Sequence, residues 1–291
     1  MFNYFGIIFA LIALLSWGVG DFLLQRSTRK FGDWESLFII SIIGSVILFP
    51  FVFSDLALLS RMSMREIIIL FLVSLSFFAS ALINVEALKR GKLAVIESVG
   101  AVEIPVAGIL ALFVLAEKIN SFHWLFVFLL LLGILLVALK THHFRRETWV
   151  EKGAVLALLG AVIMGLTDFM VGLGSRITNP ILTVWAFNIV IAVIAFFYLL
   201  ITGRFAHFIK DFRFHKDLMT GVGILDNLGW LSFAISTRFI PIVVALVLSE
   251  SYIILATLLG IFVNKERLRT YQIIGITLAI IGATILSLFY S

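Results

Sequence analysis

The sequence predicts an all-α integral membrane protein, with ten transmembrane helices laid out as two inverted five-helix repeats. Three observations predict it. Of 291 residues, 62% are hydrophobic and 13% charged, and the mean hydropathy is +1.16. A soluble domain averages about 45–50% apolar and about 25% charged residues, so this composition cannot build a water-facing surface. The apolar residues form continuous runs of about 20 residues, the length of a bilayer-crossing helix, rather than the alternating pattern of barrel strands. Finally, the chain superposes on itself when shifted by 147 residues. A large soluble domain, a nucleic-acid-binding domain and a disulfide scaffold are excluded. The absence of Cys also removes thiol chemistry and Cys-ligated metal.

In order, span 1 (5–25) is followed by Arg26, Arg29 and Lys30 and preceded by no basic segment, so it reads as a span and not as a cleaved signal peptide. Spans 2 (36–53) and 3 (67–88) lead to Lys89, Arg90 and Lys92, and spans 4 (93–116) and 5 (121–139) lead to Lys140, Arg145, Arg146 and Lys152. Span 6 (153–174) and span 7 (180–202) precede Arg204, Lys210, Arg213 and Lys216. Span 8 (218–237) and span 9 (241–263) precede Lys265, Arg267 and Arg269, and span 10 (271–289) completes the set. The loops after odd-numbered spans therefore hold 17 of the 22 Lys and Arg, against five on the other side. The positive-inside rule places both termini outside a cell or inner membrane. The longest connection, Thr202 to Asp217, mixes Phe205, Phe208, Phe212 and Phe214 with basic residues and reads as an interfacial connector.

The 147-residue shift lays Gly18 on Gly165, Asp21 on Asp168, Arg29 on Arg176 and Glu103 on Glu250. The second half then gains two residues, so that Glu117 matches Glu266 and Gly133 matches Gly282. Two pairs of intramembrane acids at one offset are hard to obtain by chance. The repeats are read as 1–145 and 146–291. Five spans is an odd number, so the second copy sits upside down relative to the first. This is how secondary transporters build two alternating gates from one design, with a site near midplane.

An acid closes span 4 (Leu115-Ala116-Glu117-Lys118) and span 9 (Asn264-Lys265-Glu266-Arg267), and Gly133 and Gly282 follow. Span 4 opens on Gly-Lys-Leu-Ala-Val-Ile-Glu-Ser at 91–98. With ten spans in two five-span repeats, the chain resembles the EamA branch of the drug/metabolite transporter superfamily. The resemblance implies a cavity lined by spans 1, 3, 4, 6, 8 and 9, with spans 5 and 10 peripheral. It also implies cytoplasmic termini, against the charge count. Tyr252 stands where the shift from Pro105 would place a proline.

The chemistry lies in an imbalance within the spans. Asp21, Glu86, Glu97, Glu103, Asp168, Asp226 and Glu250 fall inside apolar runs, whereas every Lys and Arg lies at an end or in a loop. Each carboxylate at a helix centre costs about 2.5–3.5 kcal/mol on insertion scales. Such groups are protonated, face a watery cavity, or hold a cation that the protein does not supply. Asp21, Glu86 and Glu97 lie near the basic-loop ends, within reach of Lys89, Arg90 and Lys92 for structural pairing; Asp168 is intermediate. Glu103, Asp226 and Glu250 lie near the middle, where snorkelling offers no escape. Pro105 frees a carbonyl and bends span 4 beside Glu103. Trp17 shares a helix face with Asp21, and Trp230 with Asp226, so ring and carboxylate together suit an ammonium group; packing is the alternative role. Asn84 and Asn227 suit either substrate or helix–helix hydrogen bonds. Glu117 and Glu266 read as structural or gating groups.

The expected function is secondary active transport of a small metabolite by alternating access, favouring an amine, an amino-acid-like solute or a proton-coupled neutral one. The expected partners are that solute, protons and membrane lipid, with no nucleic acid, and the assembly is a monomer or weak homodimer. No His cluster with metal-ligand spacing and no nucleotide-binding loop appears, so no cofactor is expected. Two rival readings exist. One is a non-transporting scaffold or lipid-handling protein. The other is an intramembrane aspartyl protease, because Gly18-Val-Gly-Asp21 spells Gly-x-Gly-Asp. Against the second, Asp168 follows Thr167, where the resemblance would need a Tyr-Asp pair on a preceding span.

Overall fold

The computed structural model describes residues 3–53, 62–90, 100, 102–117, 120–138, 152–252, 255 and 270–289. Among these the fold is all-helical. The helices are α1 (Asn3–Phe31), α2 (Asp33–Val52), α3 (Met64–Arg90), α4 (Glu103–Val114), α5 (Ser121–Ala138), α6 (Lys152–Ile177), α7 (Pro180–Ile201), α8 (Phe205–Ser236), α9 (Ile242–Glu250) and α10 (Thr270–Phe289). Among the described residues, five segments are long and apolar enough to cross a membrane: Asp33–Val52, Met64–Ile83, Val155–Ile177, Pro180–Ile201 and Phe205–Ser236. Tyr4–Gly20, Glu103–Val114, Trp124–Leu136 and Ile273–Ile285 are shorter apolar stretches.

Local sequence explains several boundaries. Gly32, at φ 104°, turns the chain between α1 and α2, a backbone state that costs L side chains energy and glycine little. α7 begins on Pro180, whose missing N–H is no loss in a first turn, and the Asn179 side chain accepts the Leu182 N–H at 2.7 Å. α9 follows Pro241 and is buried on every face from Ile242 to Ser249, so it forms the centre of the bundle.

One element differs from expectation. The connector expected between Thr202 and Asp217 is largely helical, forming the first turns of α8 ahead of a break at His215 (φ −133°, ψ 28°). Phe205 and Phe208 pack onto Phe38, at ring separations of 6.1 and 5.0 Å, and Phe205 also meets Phe196 at 5.2 Å. Burying that apolar stripe, at i and i+3, is what makes a short basic segment hold a helix.

The helix pairings are ordered by the repeat. The most extensive are α3 with α6, α1 with α8, α5 with α10, and α2 with α7. Adding five to each helix number exchanges α1–α8 with α6–α3, α9–α1 with α4–α6, α2–α8 with α7–α3, and α1–α2 with α6–α7. The pairs α2–α7, α4–α9 and α5–α10 map onto themselves.

In the last of these, Gly133 and Gly282 let the backbones touch. A Cβ on Gly133 would lie 2.6 Å from the Gly275 carbonyl oxygen, and one on Gly282 would lie 2.9 Å from Leu130 Cβ. Small residues drive such contacts in lipid, where apolar burial gives helices no preference for each other. Gly133→Leu is expected to separate α5 from α10 and destabilise the protein by about 1–3 kcal/mol, read as a lowered unfolding midpoint in detergent.

Candidate functional site

The acids singled out by sequence fall into two neighbourhoods. The first lies where α4, α6 and α9 cross. Gly165 on α6 abuts α4, since a Cβ there would stand 2.5 Å from the Glu103 carbonyl oxygen and 2.8 Å from Val106. Gly172 lies against Ile242, and Gly108 against Val243. α4 thus runs parallel to α6 and antiparallel to α9, which brings Glu103, Asp168 and Glu250 to nearly the same depth. Glu103 and Glu250 are half-buried, whereas Asp168 is only 3% exposed. The Asp168 carboxyl feels the like charge of Glu250, and its Oδ2 has no hydrogen-bond partner among the described residues. Leaving such an oxygen unpaired in a dry interior costs about 1–3 kcal/mol, more when charged.

The second neighbourhood joins α1 to α8. Trp17 and Trp230 meet edge-to-face at 5.2 Å, and Phe233 lies 5.9 Å from Trp17. Phe77 of α3 and Phe187 of α7 stack at 4.6 Å and contact Trp230 at 4.8 and 5.9 Å. Both tryptophans are 6% exposed, so the aromatic cluster forms a continuous plug through four helices. The Asp226 backbone N lies 3.9 Å from where a Gly20 Cβ would stand, which places Asp226 a turn from Trp230 on the same contact. Tyr252 sits at the junction of the two neighbourhoods, its Cβ 3.5 Å from the position of a Gly18 Cβ.

Asn227 lies elsewhere. Its Nδ2 donates to the Ile40 and Gly223 carbonyls at 2.9 and 2.8 Å, and its Oδ1 accepts from Asn188 Nδ2 at 2.7 Å. It therefore ties α2, α7 and α8 together. A Cβ on Gly44 would collide with Asn227 Oδ1 and lie 2.7 Å from Asn188 Nδ2. Gly44→Ala is expected to break this tie at a cost of about 1–3 kcal/mol, seen as a lower melting temperature. Asp21 and Glu86 lie on α1 and α3 and Asn84 on α3, but their side chains, like all of Glu97, fall outside the described residues.

From sequence alone Arg176 has no role beyond a loop charge matched to Arg29, yet it organises the far end of α4 and α9. Pro241 offers no side-chain cap to α9. Instead both Glu117 oxygens accept the Ile242 N–H at 3.1 Å, so an acid from the first half caps a helix of the second. Arg176 Nη1 lies 2.6 Å from Glu117 Oε1, its Nε donates to the Thr237 carbonyl at 2.6 Å, and its Nη2 donates to that of Ile240 at 3.1 Å. Ala116, at φ 51°, turns the chain so that Glu117 reaches this position. The signal available in the sequence was the pairing of Arg176 with Arg29 under the repeat.

Among the described residues no group of three or more His, Cys, Asp or Glu is arranged to hold a metal. The fold is that of known structures. Twenty-nine solved chains match. One, described only as "Crystal structure of protein", aligns over 98% of this chain and 97% of its own, with a TM-score of 0.76 and 15% identity. No curated protein matches the sequence. The model of the EamA-like transporter family matches twice, over residues 4–139 and 151–288. Its members are transporters rather than enzymes. This chain, carrying the family's unit in both of its halves, belongs to the EamA-like transporter family and is a multi-pass membrane protein.

Proposed function

We propose that the protein is a secondary active transporter in which Asp168, with Glu250 and Glu103, exchanges a proton for a small cationic or zwitterionic amine, or couples proton movement to a neutral metabolite. The observation that carries this reading is the Asp168 carboxyl, buried beside a second acid and with no hydrogen-bond partner for Oδ2 among the described residues. A bare carboxylate in such a place is costly. A proton or an ammonium relieves the cost, and each does so in competition with the other. In this reading the cluster of Trp17, Trp230 and their phenylalanines, on the α1–α8 contact that also carries Asp226, forms one wall of the pathway.

The two halves, 1–145 and 146–291, are inverted copies. The exchange of helix pairings on adding five supports a two-fold relation between them. Transport proceeds by alternating access. In this reading the Glu117–Arg176 latch, spanning both halves, holds one face shut. The protein lies in the cell or inner membrane with both termini outside, as a monomer or weak homodimer.

The test is transport by the reconstituted full chain. With a pH gradient imposed across liposomes, uptake of a radiolabelled amine or amino acid is expected from the wild type and not from Glu103→Gln/Glu250→Gln. Unchanged pH-dependent uptake in that variant would remove the acids from the mechanism.

A further inference from the structure

We infer that the groove between α2 and the broken helix α8 is a binding site for one anionic phospholipid, with an acyl chain in the groove and the phosphate on the basic residues beside the break. The groove is an open one of about 470 Å³ on the outer surface of the bundle. Ile39, Ile43 and Ile47 line one wall, and Phe208, Phe212 and Ile224 the other. From Phe38 to Ile47 the α2 wall runs about 14 Å at the helical rise of 1.5 Å per residue, close to half the hydrocarbon thickness of about 30 Å. The groove is therefore one leaflet deep.

Its walls say chain, and its upper end says charge. Phe212 and Thr220 line the groove on either side of the break at His215. Between or beside them lie exposed Lys210, Arg213 and Lys216. The end of α1 adds a fourth cation, Lys30, whose Nζ lies 3.4 Å from His215 Nδ1. The acids nearby leave one positive charge in excess. Asp211 is half-buried on the side of Glu35, Glu35 is already paired with Arg204 at 2.9 Å, and Asp33 and Asp217 leave the cluster net positive. Basic clusters at the membrane surface favour anionic lipid. A zwitterionic headgroup would bring its own cation into the same cluster, and a free phosphate would leave the apolar groove unfilled. The broken helix has a physical role here: the break lets the Phe205–Phe212 face cover the bundle while the basic face stays at headgroup level.

The experiment uses the purified full-length protein in detergent, titrated with phosphatidylglycerol, phosphatidylcholine or glycerol phosphate, and read by native mass spectrometry and unfolding temperature. Phosphatidylglycerol is expected to be retained at one copy, with affinity about tenfold above phosphatidylcholine, and glycerol phosphate is expected to give no shift. Arg213→Gln/Lys216→Gln should lose the headgroup preference but keep weak binding of either lipid. Thr220→Trp, which fills the groove and leaves the charges in place, should lose the retained lipid. Equal binding of the two lipids overturns the inference, as does a preference that survives the double variant. A shift by glycerol phosphate alone would also overturn it, by assigning the basic cluster to a soluble anion.

Discussion

Asp168→Asn is expected to abolish transport while leaving the protein at least as stable as the parent. The two halves of this expectation come from the same fact. Asp168 is buried, its Oδ2 has no hydrogen-bond partner among the described residues, and Glu250 adds a like charge nearby. Asn keeps the shape and removes the charge, so the cost of an ionised group in a dry site disappears while the volume stays filled. The gain should be larger at about pH 8 than at about pH 4, because a free carboxyl of ordinary pKa is fully ionised only at the higher pH. Transport should fall more than tenfold, or by over about 1.4 kcal/mol of barrier, because an amide neither carries a proton nor balances an ammonium. Two measurements on one preparation decide it: uptake into liposomes and the unfolding midpoint in detergent. A variant that loses stability along with transport would mark Asp168 as structural. Sites that cost stability and confer activity are the expected places for such a trade-off.

Arg176→Ala is expected to destabilise the protein by about 3 kcal/mol and, under the gating role proposed for the Glu117–Arg176 pair, to open one face. The Glu117 side chain is 8% exposed and would remain as a buried charge without its cation, while the Thr237 and Ile240 carbonyls would lose their donors. Removing one partner of a buried pair costs about 3–5 kcal/mol, and the 27% exposure of Arg176 argues for the low end. The sharper expectation concerns the pair. Glu117→Gln in the Arg176→Ala background should recover stability, because the amide oxygen still accepts the Ile242 N–H and the stranded charge is gone. Additive losses in that double-mutant cycle would contradict direct coupling. Labelling of a cysteine placed at Thr237 should accelerate in Arg176→Ala if the latch gates access, and remain slow if it only braces the fold.

Much of the architecture was legible because the bilayer imposes a simple grammar. Apolar runs bounded by charge became α1 to α10, and Gly133 and Gly282, matched across the repeat, became the touching point of α5 and α10. Glu103 begins α4 and Glu250 ends α9 as these helices are described, so their equivalence under the repeat remains a reading of the sequence. Other features depended on partners distant in sequence. Nothing local to Arg176 shows that it will bind Glu117, 59 residues earlier, and the carbonyls of Thr237 and Ile240. Asn227 reads equally as ligand or tether until Asn188 and Gly44 are beside it. The helical start of α8 has the polarity of a loop, so its local sequence reads as a connector. Its stability comes from Phe38 and Phe196 on other helices, which a local pattern does not contain.

The most direct test of the central claim, that one buried carboxyl site serves proton and cation in turn, is a thermal-shift screen of organic amines, amino acids, neutral solutes and organic anions at about pH 6 and about pH 8. The account predicts that a cationic or zwitterionic solute raises the unfolding temperature of the wild type, more at the higher pH, and does not raise that of Asp168→Asn. Stabilisation by anions alone, or an identical shift in Asp168→Asn, would contradict it.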